Sequence, residues 1–247
     1  DWAWENASTS TSGIPPALPP SGSYTFKAGS FTIGGFRITN ALDTPIIYAQ
    51  SGTITGSSTI TVSPGQAASL KIIAPTPANM DVSFNLTSII AYDVCGNTAT
   101  TYTGSKVLNY NPSGIGTSYT SPVYFNQGVS QTILQTTLTK AEPSLQLQVT
   151  DGTISGISNP ITVKPGSITF LSVTTEHQGT ETAGIPFSVI LTLKDKSGNT
   201  ITDYNSSTPV VWSWTAKNSP NNGTPTMPAN GNQSFANGIA AINGFIL

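Results

Sequence analysis

His177 is the only histidine and Cys95 the only cysteine, and eleven Asp and Glu residues supply every carboxylate side chain. A serine-type triad would need His177 beside an activated hydroxyl and an orienting carboxylate. His177 instead lies in the polar run TTEHQGTETAG, and the matching segment one repeat earlier, PTPANM, has no histidine. It reads as a solvated loop residue. Paired carboxylates for glycoside cleavage are the next chemistry to test. Asp93 and Asp195 occupy equivalent places in two repeats. That makes them structural, each capping an Asp-x-x-Gly-Asn turn by accepting backbone N–H groups. Glu181, Asp195 and Asp203 are the candidates for calcium, but DKSGNTITD carries two carboxylates and lacks the bidentate Glu of an EF-hand loop. A single cysteine excludes an intrachain disulfide framework and a thiolate zinc cluster. Cys95 stands where the next repeat has Ser197, which marks it as a turn residue. No glycine-rich loop opens a helix to cradle phosphate. No catalytic residue, metal or cofactor is assigned.

Five Asn-x-Ser/Thr triplets begin at Asn6, Asn85, Asn205, Asn222 and Asn232. Asn205, Asn222 and Asn232 read as loop positions and are the candidate glycan acceptors, whereas Asn85 reads as a strand residue.

The elements that carry these residues repeat. GTITGSSTITVSPG (52–65) returns as GTISGISNPITVKPG (152–166), and YDVCGNTATTY (92–102) returns as KDKSGNTITDY (194–204). YFNQGVSQTILQTTL (124–138) has partners in YTFKAGSFTIGGFRI (24–38) and SFANGIAAINGFIL (234–247). A period of about one hundred residues is the size of one β-sandwich and too long for a solenoid turn. Almost every ordered stretch alternates with period two: Leu145, Leu147 and Val149; Phe187, Val189, Leu191 and Leu193; Val210, Trp212 and Trp214. Alternation puts one face on a core and the other in solvent. The middle repeat holds about seven strands, near 68–74, 82–92, 105–110, 122–126, 130–138, 144–150 and 159–163. Phe84 and Leu86 are out of phase with Ile89 and Ala91, which calls for a β-bulge between Leu86 and Ile89.

The expected organisation is a Pro-rich tail (1–23), a partial repeat with the last strands of a unit (24–65), a complete sandwich (66–166) and a sandwich lacking its last strands (167–247). Only 8% of the chain is charged, against a typical value of about 25%. Yet 37% is hydrophobic and the net charge is -2, so the profile is not one of disorder. There is no basic field for nucleic acid and no apolar run of membrane-helix length. Such uncharged, hydroxyl-rich surfaces are associated with secreted and surface-exposed proteins.

The VSPG and VKPG junctions, AYDVCGNTATTYTG (91–104) and GIPFSVILTLKDKSGNTITDY (184–204) resemble the immunoglobulin-like tandem repeats of bacterial and archaeal surface proteins, of the bacterial Ig-like and invasin kind. The resemblance covers residues 24–247. It implies an all-β chain of tandem immunoglobulin-like sandwiches with a spacer, adhesive or assembly role, and it carries over no catalytic residues.

The phase of the repeat suggests how such a subunit joins its neighbours. Residues 24–65 hold the strands that 167–247 lacks, and the two pieces, less an overlap at the fifth strand, add up to about one period. One copy would complete the next by strand addition, giving a filament or surface layer of identical subunits joined head to tail. The assembly residues would be Trp2, Trp4, Phe31, Ile33, Phe36, Ile46, Ile47, Tyr48, Ile60 and Val62 on the donor side. Ile242, Phe245 and Leu247 would serve the acceptor. Segment 13–23 would run along the neighbouring subunit, with Trp2 and Trp4 as its anchors or else folded back on the first sheet. The alternative is an adhesin stalk or carbohydrate-binding module cut from a longer secreted protein, whose own downstream strands fill the gap.

Overall fold

The computed structural model describes residues 1–247, and its regular elements are all strands. Three strands belong to the first 65 residues: β1 (Trp2–Glu5), β2 (Ile46–Ser51) and β3 (Ile54–Thr59). They form one sheet in the order β1-β2-β3, with β2 and β3 joined by a tight hairpin.

The middle of the chain runs through seven extended passes, each broken into two short strands. The first pass is β4 (Ser69–Ile73) and β5 (Ala78–Asn79), the second β6 (Phe84–Leu86) and β7 (Ser88–Tyr92), the third β8 (Gly104–Lys106) and β9 (Asn109–Asn111). The fourth is β10 (Ser118–Tyr119) and β11 (Val123–Asn126), the fifth β12 (Val129–Ser130) and β13 (Leu134–Thr137). The sixth is β14 (Glu142–Leu145) and β15 (Gln148–Thr150), the seventh β16 (Ser155–Ser158) and β17 (Ile161–Lys164). Pairing goes around a ring in the order 1-2-5-4-3-6-7 and back to 1, with only the seventh-to-first contact parallel. The largest sheet, β8-β11-β12-β7-β4-β16-β15-β9, is that ring cut at Val107 and Leu108, because its two edge strands are consecutive pieces of the third pass. This is an immunoglobulin-like strand order, with passes 1, 2, 5 and 4 on one side and 7, 6 and 3 on the other, and each pass meets a neighbour on both sides through one or other of its two strands. Eighteen buried residues fill it, with Ile72, Ile89, Phe125, Leu147 and Ile161 fully enclosed.

The expected phase change is present. Leu86 and Ile89 are both buried although three positions apart, and Thr87 breaks the pass between β6 and β7. Where pairing resumes, Val129 faces Ile90 and the Ile89 N–H donates to Ser130 Oγ at 2.9 Å.

The third unit has β18 (Phe170–Thr175), β19 (Phe187–Lys194), β20 (Ser207–Val210), β21 (Gly231–Ser234) and β22 (Ile239–Phe245). They form two sheets, β18-β19-β22 and β20-β21, over a core of nine residues that includes Phe187, Val189, Leu191 and Leu193. Two expectations need correcting. Leu145 is half-buried, since it lies at the register shift between β14 and β17 rather than in a continuous ladder. The strand read over Val210, Trp212 and Trp214 stops at Val210.

Candidate functional site

Matching pairs of residues identify which pass each terminal strand represents. Leu70 faces Ala91 in the middle unit, and Leu171 faces Leu193 in the third. Tyr124 pairs with Ser105 just as Ser234 pairs with Ser207. The third unit therefore holds passes one to five: β18, β19, β20, β21 and β22. In the first unit, Ala49 pairs with Gly56 and Gln50 with Thr55; in the middle unit Val149 pairs with Gly156 and Thr150 with Ser155. The β2–β3 hairpin is thus passes six and seven.

The consequences for burial are direct. Leu70 and Ile72 are 4% and 0% exposed under the seventh pass, while their equivalents Leu171 and Val173 are 37% and 58% exposed. Residues 211–213 correspond to β9, which pairs with the sixth pass. With no sixth pass beside them, their backbone has nothing to pair with, and the strand ends. The gap is an apolar groove of about 500 Å³ floored by Val173, Phe187, Val189, Trp212, Trp214 and Phe245. Phe245 is buried, Leu247 lines the rim and Ile242 packs against the core below. Trp212 and Trp214 stack edge-on against Phe245 at 4.9 and 6.2 Å, so they are not an exposed aromatic row. The Trp212 indole Nε1 is buried with no hydrogen-bond partner.

The candidate donor residues lie as follows. Ile46 and Ile47 are half-buried in β2, and Tyr48 is exposed, its hydroxyl donating to Glu5 at 2.6 Å. Ile60 and Val62, expected in a strand, lie beyond the end of β3. The Ile60 N–H bonds the Pro45 carbonyl at 2.9 Å, as its equivalent Ile161 faces Leu145, but Val163 is also held by β5 of the first pass, for which residues 1–65 offer no counterpart. Trp2 and Trp4 fold back onto their own chain, pairing with Ala49 and Ile47 and meeting Phe36 at 5.1 and 5.9 Å. Phe31 stacks on Tyr24 at 4.9 Å, and Ile33 is half-buried. Segment 13–23 is pinned within the chain, with Ala17 and Arg37 exchanging backbone hydrogen bonds. Of the glycan candidates, Asn205 and Asn222 are exposed outside the strands, but Asn232 lies within β21, paired with Pro209.

Sequence reasoning missed the joints between units. Asp93 accepts N–H bonds from Gly65, Cys95 and Asn97, and Asp195 accepts them from Gly166, Ser197 and Asn199, all between 2.7 and 3.1 Å. The Pro-Gly junction and the Asp-x-x-Gly-Asn turn are therefore one motif. Each turn also touches the preceding unit. Asn97 donates to Thr39 and accepts from Ala41; Asn199 reaches the Met80 sulfur, and Lys196 pairs with Asp81 at 3.3 Å. Burial pushes both aspartates up, but the hydrogen bonds from Asn97, Gly65 and Cys95, and from Asn199, Gly166 and Ser197, outweigh it and hold them below the usual carboxylate range. His177 is exposed and bonded to Glu181 at 2.7 Å, which raises its pKa. No group of three or more His, Cys, Asp or Glu side chains converges, and no helix is long and apolar enough to cross a membrane.

No family model and no curated protein sequence matches the chain. Among solved structures it is similar to domains 4–9 of the surface layer protein SbsC, with 13% identity and a TM-score of 0.30 over 87% of this chain. The chain spans 36% of that structure. It is also similar to the I9–I11 tandem of titin, at 11% identity and a TM-score of 0.27, covering 98% of this chain and 85% of the other. Likenesses this loose carry no argument; the fold assignment rests on the strand order above.

Proposed function

We propose that the chain is a non-catalytic structural subunit of an extracellular filament or surface layer, assembled head to tail from copies of itself. The observation that carries this reading is the mismatch of passes. The middle unit closes a ring of seven, whereas 167–247 forms passes one to five and 24–65 presents passes six and seven. The missing two and the spare two are the same two. Docking the hairpin of one copy into the groove of another would bury Leu171 and Val173. It would also place Ile60 and Val62 where Ile161 and Val163 sit, in the core. Burial of this kind contributes roughly 25 cal/mol per Å² of apolar surface. The contact is heterologous, so it propagates into an open fibre unless the rotation between subunits closes a ring. Surface location is part of the proposal and is supported by the uncharged, hydroxyl-rich composition. The groove is mostly apolar, with Thr175, Thr180, Glu181 and Ser213 as the polar side chains in its lining.

Light scattering and electron microscopy of the purified 247-residue chain over a range of concentrations test the reading. Polymers should form above a threshold concentration, and deleting residues 1–65 should leave a monomer. A full-length chain that stays monomeric at high concentration, or a deletion variant that still polymerises, overturns it.

A further inference from the structure

Two equivalent glycines, Gly156 and Gly56, have different surroundings. Gly156 in β16 lies directly on the first pass: a Cβ there would stand 1.6 Å from the Leu70 carbonyl oxygen and 2.3 Å from its carbon. Neither Gly156 nor its equivalent Gly56 has a positive φ, so backbone conformation does not require glycine at either place. Gly156 is glycine because a parallel strand passes against its face. Gly56 occupies the same register position in β3, yet nothing lies within 4 Å of where its Cβ would be.

We infer, resting on the assembly reading above, that Gly56 is kept bare for the first pass of a second copy, and that β3 adds to β18 as a parallel strand in one defined register. The middle unit supplies the register: Gly156 faces Leu70, Ile157 faces Lys71 and Ser158 faces Ile72. Carried to the ends of the chain, Gly56 faces Leu171, Ser57 faces Ser172 and Ser58 faces Val173 of the neighbouring subunit. The Gly56 face then lies against the Leu171 backbone, and any side chain there holds the strands apart.

The same register bears on β1. Trp2 stands opposite Ala49 as Tyr110 stands opposite Val149, so β1 occupies the place of the third pass. In the acceptor that place belongs to Trp212, the equivalent of Tyr110. The hydroxyl of Tyr110 donates to the Thr120 carbonyl, whereas the indole Nε1 atoms of Trp2 and Trp212 are both buried without partners. Two tryptophans cannot share one slot. The geometry points to β1 as a placeholder that covers the β2 edge in the free subunit and is displaced by residues 211–213 of the acceptor.

Two sets of variants test these points. Gly56→Ala should leave the circular dichroism and melting of the free subunit unchanged and raise the polymerisation threshold by at least tenfold; polymerisation at the unaltered threshold overturns the register. In a Cys95→Ser background, Ser57→Cys with Ser172→Cys should give a covalent ladder of multimers on mild oxidation of polymers, and Ser57→Cys with Thr174→Cys should not. Polymers that form without the first ladder, or with the second, overturn the register and leave the assembly reading standing. An unsubstituted chain that never polymerises removes both. Deleting residues 1–5 should shorten the lag before polymer growth; a longer lag or loss of growth would show β1 to be a permanent third pass.

Discussion

At the residue scale, the informative side chains are those that hold the chain together rather than those that could react. Asp195 is fully buried and receives three backbone N–H bonds and the Asn199 side chain. Replacing it leaves buried donors without an acceptor, at a cost of about 1–3 kcal/mol. We expect Asp195→Asn and Asp93→Asn each to lower the unfolding free energy measured by urea titration by about 1–3 kcal/mol. The pH dependence follows from the sign of the shift. Both carboxylates are held below the ordinary aspartate value of 3.8, so the stability they add is fully present above that pH and is lost as pH falls through the lowered value. The difference between native and Asn variants should be constant from pH 5 to 8 and shrink below about pH 4; a difference that vanishes already at pH 6 would contradict this assignment. Cys95→Ser should change stability by less than about 0.5 kcal/mol, because Ser197 makes the same backbone bond to Asp195 that Cys95 makes to Asp93. A large loss on that substitution would show a role for the thiol that the turn geometry does not require.

At the element scale, the contrast is between a paired and an unpaired copy of one strand. β4 lies between β7 and β16, whereas β18 has β19 on one side and nothing on the other. Hydrogen exchange should therefore be slow across Ser69–Ile73. In free subunits it should be fast at those N–H groups of Phe170–Thr175 that do not bond to β19, and in polymers these should become slow. Equal protection of β18 before and after polymer formation would mean that its edge is not the contact. Three equivalent turns, one from each repeat, make a similar comparison. Gln127-Gly128, Asn237-Gly238 and Ala28-Gly29 all take positive φ at both residues, the two-residue turn that matches strand twist. Phe125 and Phe235 before the first two are buried, but Phe26 before the third is 65% exposed. A local turn forms from its own residues, while a buried Phe needs the rest of a sandwich.

At the scale of the whole molecule, the proposed joint is made of backbone and apolar contacts in a chain with nine Lys and Arg and eleven Asp and Glu. Screening acts on charges and leaves such contacts largely intact. The polymerisation threshold should thus change by less than about threefold between 0.05 and 0.5 M salt. A steep rise with salt would point to an electrostatic interface instead. A synthetic peptide spanning residues 45–65 presents passes six and seven without the remainder of a donor subunit, and in excess it should block polymer growth. Unaffected growth would place the acceptor elsewhere.

The sequence by itself determined the all-β fold class, the seven passes of the middle unit, the change of phase between Leu86 and Ile89 and the capping role of Asp93 and Asp195. These follow from local rules: period-two alternation, turn chemistry and the comparison of one repeat with another. Only the tertiary structure decided that the ring closes through a parallel contact of passes seven and one. It alone decided that Asp93 and Asp195 reach back to Gly65 and Gly166, and that Trp2 and Trp4 fold onto their own β2. It also decided that Trp212 leaves the strand predicted for it and that Ile60 and Val62 have none. Each of these depends on a partner distant in the chain, 28 or more residues away in the cases of Gly65 and Trp2. A strand's own residues specify which face it buries; what it pairs with, and so whether it persists as a strand at all, is settled by neighbours that are distant in sequence.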